Sequence, residues 1–140
     1  MARRIRVVVL RLGEGRSLFA LGATIRPHLE LPAASPEALE RAAQALPEVI
    51  VVDGRGSRDA VAAIDAARAR IPGARVVAVG DPGDDVAASA ALAAGAFAWL
   101  GSSVDEISLR TAVQAAADGR LHFTRTGRRA AQRLLARTPR

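Results

Sequence analysis

Five short, mostly apolar runs, separated by segments with helical punctuation, constrain this chain more than any other feature. The runs are IRVVVL (5–10), HLEL (28–31), VIVVD (49–53), RVVAV (75–79) and AFAWL (96–100). A strand with one wet face alternates apolar and polar residues. A strand apolar at successive positions is covered on both faces, as in a parallel sheet between helical layers. The intervening segments carry helix signals. SPEALERAAQAL opens on Ser35 as N-cap with Pro36 at the first helical position. A second helix is expected from about Arg58 to Arg70, stopped by Pro72-Gly73, and a third in DDVAASAALAAG closes on Gly95. Ser103 and Glu106 form a capping box for a fourth that ends at Gly119. A helix over about 16–26, interrupted by Gly22, joins the first two strands. Strand and helix alternating in this way predict an α/β sheet with right-handed crossovers. After Gly119, the residues Ala130, Leu134 and Leu135 predict one more amphipathic helix.

A chain of 140 residues is one domain with enough length to bury a core. No apolar run reaches the roughly 20 residues of a membrane span. The N-terminal run Val7–Leu10 is too short for the apolar part of a signal peptide. Cysteine is absent, which excludes disulfides and thiolate chemistry and fits a cytoplasmic setting. The two histidines, His28 and His122, have no metal-ligand spacing. Residues 1–118 carry thirteen arginines against fourteen carboxylates, whereas residues 119–140 carry seven arginines and no acid. The body is nearly neutral and the tail strongly basic, suited to an acidic partner, to nucleic acid, or to a solvated linker helix.

In EVIVVDGRGS, Asp53 stands at the carboxyl end of a buried strand, the end at which open α/β sheets collect ligands. Other chemistries lack their parts. GEG (13–15) follows the first strand, but Leu18 stands where a dinucleotide fingerprint needs its third glycine. A phosphate-binding loop needs a lysine, and this chain has none. No G-x-S-x-G elbow exists. The carboxylates of GDPGDD (80–85) read as cap and first-turn residues of the following helix rather than as a metal site.

Taken together, PEVIVVD, AGAFAWL and SSVDEISLRTAVQAAADGRLHFT resemble the receiver domain of bacterial response regulators, specifically the NarL/LuxR type, over essentially the whole chain. ARTPR at the end resembles the opening of their DNA-binding domain. The resemblance implies a flavodoxin-like (CheY-like) three-layer sandwich: a five-stranded parallel sheet in order 2-1-3-4-5, plus an extra C-terminal helix. Residues 1–119 would be the receiver-like domain. Residues 120–140 would be an arginine-rich linker helix, leading to a helix-turn-helix domain beyond Arg140.

By the same resemblance Asp53 takes the phosphoacceptor position, but its neighbours depart from the pattern. Arg11 and Leu12 stand where two acidic residues help hold Mg²⁺, Gly80 where a hydroxyl is expected, and Ser102 where a lysine is expected. Trp99 occupies the aromatic switch position. Phosphotransfer relies on charge neutralisation and positioning, so Asp53 is expected not to be phosphorylated. The implied function is a phosphorylation-independent dimerisation and signal-sensing module of a transcriptional regulator. It would be non-enzymatic, without metal or cofactor, homodimeric, away from membranes, and on DNA only through the domain beyond Arg140. Two alternatives stand beside it. One is a small-molecule (end-product) sensor using room left by Gly13, Gly15, Gly54, Gly56 and Gly80; the other is residual phosphoacceptance at Asp53. Arg11 is expected to supply the positive charge facing Asp53, with Arg55 as its competitor.

Overall fold

The computed structural model of the chain describes residues 5–13, 29–32, 34–101 and 106–123. Its strands are β1 (Val7–Arg11), β2 (Leu29–Leu31), β3 (Val49–Asp53), β4 (Arg75–Val79), β5 (Ala98–Leu100) and β6 (His122–Phe123). The helices are α1 (Pro36–Gln44), α2 (Ala60–Arg70), α3 (Asp85–Ala93) and α4 (Glu106–Ala117). The first five strands pair in parallel in the order 2-1-3-4-5 expected from the sequence. One addition was not foreseen: His122–Phe123 pairs in parallel with β5 as a short sixth strand. The sheet thus takes in residues past Gly119. The helices expected over 16–26 and around Ala130–Leu135, and the Ser103 cap, lie outside the described residues.

Alternation along each strand sends side chains to two apolar layers. Val8, Leu10, Ile50, Val52, Val76, Ala78 and Trp99 share a core with α1, α2 and α3 through Leu39, Ile64, Ala67, Ala88 and Ala91. Val7, Val9, Val49, Val51, Val77, Val79 and Leu100 share the other with Leu109, Ala112 and Val113 of α4. Each fully buried valine or isoleucine contributes about 1.5–3 kcal/mol, which is why consecutive positions in these strands are all apolar.

The punctuation works as the sequence predicts. Ser35 Oγ accepts from Ala38 N at 3.2 Å at the start of α1. Asp84 Oδ1 accepts from Ala87 N at 2.9 Å at the start of α3. Gly95 and Gly119 have φ of 106° and 75°, the left-handed region that favours glycine after a helix. Arginines tie the layer together. Arg68 Nη1 donates to the Ala94 carbonyl at 2.6 Å at the end of α3, and Arg70 pairs with Glu40 across α1 and α2. Placing a guanidinium on a last-turn carbonyl also complements the helix dipole.

Candidate functional site at the carboxyl edge of the sheet

Register brings the candidate residues together. Arg11 of β1, Asp53 of β3 and Val79 of β4 stand side by side at the carboxyl edge. The Leu12 N–H donates to the Asp53 carbonyl at 3.0 Å and the Gly54 N–H to the Val79 carbonyl at 2.8 Å, extending the ladder one residue into the loops. Asp53 is buried, with 1 % of its surface exposed. A buried carboxylate is costly unless it is paired and hydrogen-bonded.

Its partner is Arg55, which corrects the expectation that Arg11 would face it. Arg55 Nε donates to Asp53 Oδ1 at 2.9 Å and Nη2 to Oδ2 at 2.8 Å, a two-pronged fork; the Arg55 N–H adds a 3.3 Å bond to Oδ1. Arg11 instead approaches Glu30 of β2, Nη1 to Oε1 at 4.0 Å, with a third of its side chain exposed. The reason is local geometry. The turn after β3 passes through Gly54 and Gly56, the latter at φ 72°, and is closed by the Ser57 N–H on the Gly54 carbonyl at 3.0 Å. The Arg55 fork then meets the carboxylate in its preferred planar arrangement. Asp81, in the loop after β4, holds this turn by accepting from the Gly56 N–H with both carboxylate oxygens, at 3.2 and 3.1 Å.

The electrostatics agree with the geometry. The hydrogen bond to Asp53 raises the Arg55 guanidinium above its ordinary value; burial opposes this, and the charges of Asp53, Asp81 and Glu30 reinforce it. Raising the folded value of a cation makes its contribution present at all lower pH and lost only above the arginine range. Arg55 therefore stays charged at any working pH.

Mg²⁺, which the fold family would imply, does not fit this donor set. It needs several oxygen ligands in octahedral array, whereas both Asp53 oxygens are engaged by a guanidinium, with Arg11 and Leu12 alongside. Among the described residues no three histidine or acidic side chains are grouped to hold a metal ion.

The spaces beside the glycines that the alternative small-molecule reading would use are mostly filled by protein. A Cβ on Gly13 would overlap the Arg55 carbonyl oxygen, and one on Gly54 would lie 2.8 Å from Ala60 Cβ. A Cβ on Gly80 would overlap the indole of Trp99. Of the four that are described, Gly56 alone has no atom of a described residue within 4 Å of its added Cβ, while Gly15 and Ser102 lie outside the described residues. The absence of Cβ at Gly13 therefore lets the β1 loop press against the turn that carries Arg55. From the sequence alone Arg55 stands only as a competitor of Arg11 for Asp53. The signal for it was the D-G-R-G order, two glycines bracketing an arginine two residues beyond the aspartate.

No family model matches the chain, and no curated protein does. Solved structures do. A LuxR-family two-component response regulator from Aurantimonas sp. SI85-9A1 superposes with a TM-score of 0.73 at 20 % identity, over 95 % of this chain and 99 % of that one. A LuxR-family DNA-binding response regulator from Silicibacter pomeroyi gives 0.63 at 21 % identity, over 86 % and 97 %. RcsB from Salmonella enterica serovar Typhimurium, bound to promoter P1flhDC with the phosphomimetic BeF₃⁻, gives 0.73 at 14 % identity, over 96 % and 69 %. The fold of this chain is that of a response-regulator receiver domain. Among the described residues no helix is long and apolar enough to cross a membrane.

Proposed function

We propose that this chain is an atypical receiver domain of a LuxR-type transcriptional regulator, acting without phosphorylation as a dimerisation and signal-sensing module. In this reading residues 1–119 form the receiver-like domain. The arginine-rich residues 120–140 lead to a DNA-binding domain beyond Arg140, as the resemblance of ARTPR suggests. The module works in the cytoplasm as a homodimer and catalyses nothing.

The observation that carries the proposal is the Arg55 fork on Asp53. An in-line attack on a phosphoryl donor needs a free carboxylate oxygen and a cation to gather the charge on the transferring group. Both oxygens of Asp53 are taken, and the nearest cation is spent on them. Gly80 offers no hydroxyl to a phosphoryl oxygen, and the sequence has serine at 102 in place of a lysine. The permanent pair holds the site in one charge state.

The test is to incubate the chain with phosphoramidate and Mg²⁺ and measure its intact mass. The expected spectrum holds no phosphoryl adduct, and Mg²⁺ with beryllofluoride leaves the melting temperature unchanged. A stoichiometric adduct mapped to Asp53 would overturn the reading.

A further inference from the structure

The neighbourhood of Trp99 carries an inference that does not depend on the chemistry of Asp53. Trp99 is the only tryptophan in the chain, and it is 1 % exposed. It stands opposite Ala78 across β4 and β5. Because side chains alternate, Ala78 of β4 and Trp99 of β5 share one face, and the same alternation carried one residue past each strand puts Gly80 and Gly101 on it. This is the face that packs with Ala88 and Ala91 of α3. A large ring at 99 that leans along its strand must therefore lie over residues 80 and 101, and both are glycine. A Cβ at Gly80 would overlap the Cη2 and Cζ2 edge of the indole, and a Cβ at Gly101 would overlap Nε1. Neither glycine is among those with positive φ, so backbone conformation does not demand them. The Gly80 N–H is bonded to the Leu100 carbonyl at 3.0 Å, which locks the two strand ends at this separation.

We infer that Gly80, Trp99 and Gly101 form a wedge: an indole seated permanently in a socket made by two missing Cβ atoms, so that the β4 and β5 ends of the sheet have one conformation rather than two. Moving the ring outward would empty the space that it fills over Gly80 and Gly101. Interiors tolerate such voids poorly. Bulk at either glycine has the opposite effect and expels the ring.

The chain has no tyrosine, so its fluorescence reports on Trp99 alone. The expected wild-type spectrum is blue-shifted and weakly quenched by acrylamide, and it does not change on adding phosphoramidate, Mg²⁺ or beryllofluoride. Gly80→Thr and Gly101→Ala should each shift emission to the red, raise the quenching constant several-fold and lower the melting temperature by roughly 5–10 °C. If Gly80→Thr fails to fold, Gly80→Ala is compared in the wild-type and Trp99→Phe backgrounds. The smaller ring should remove most of its penalty. Unchanged emission and melting in Gly80→Ala, or an equal penalty in both backgrounds, would overturn the wedge. So would an emission change on adding the phosphoryl donor. Intact mass separates the two readings: an adduct on Asp53 with unmoved emission sinks phosphorylation independence and leaves the wedge standing. Moved emission without an adduct does the reverse.

Discussion

Removing the Arg55 side chain tests what the Asp53 pair contributes. In Arg55→Ala the Asp53 carboxylate loses two charge-assisted hydrogen bonds, at 2.9 and 2.8 Å, and keeps only the 3.3 Å bond from the residue 55 N–H. Hydrogen bonds to charged groups contribute about 1.5–3 kcal/mol each, so the gross loss is about 3–6 kcal/mol. Solvent limits it: the Arg55 side chain is 23 % exposed, so water can enter the space it leaves and solvate the carboxylate in part. The expected destabilisation at pH 7 is therefore about 2–4 kcal/mol. Urea unfolding of wild type and variant at pH 7 measures it. In an Asp53→Asn background the same truncation should cost less than about 1 kcal/mol, because no buried charge is left behind. A loss below about 0.5 kcal/mol at pH 7, of the size expected for a surface ion pair, would refute the reasoning. An equal loss in the Asp53→Asn background would refute it as well.

Two further outcomes follow from the charges around the site and in the tail. Arg11→Ala should change stability by less than about 0.5 kcal/mol, since its partner Glu30 is at 4.0 Å and a third of the side chain is in water. Calorimetric titration should still detect no Mg²⁺ binding in this variant, and a measurable Mg²⁺ heat would show that Arg11 had been excluding the ion. The 140-residue chain, with seven arginines and no acid after residue 118, should bind duplex DNA weakly and without sequence preference. Its affinity should fall steeply with salt as counterion release requires, and nanomolar, sequence-selective binding in an electrophoretic or anisotropy titration would contradict this.

Local pattern was enough to read the frame of this protein from its sequence. Consecutive apolar residues at 7–10, 49–52 and 76–79 can be satisfied only by strands covered on both faces. Ser35, Asp84, Gly95 and Gly119 mark helix ends through backbone demands that act within a few residues. The same frame put Asp53 at the carboxyl end of the third strand, beside Arg11 in register. The partner of Asp53 was not legible, because two arginines were within reach of one carboxylate. The choice between them depended on the path of a four-residue turn and on a competing carboxylate, Glu30, two strands away from Asp53. The short strand His122–Phe123 was hidden for a similar reason: two residues carry no periodicity, and the pairing comes from the open edge of β5. The glycines changed meaning altogether. In the sequence Gly13 and Gly80 could be tight turns or room for a ligand, whereas in the fold the Arg55 carbonyl fills one space and the Trp99 indole the other. A sequence records that a Cβ is missing; only the packing of distant segments decides what stands in its place.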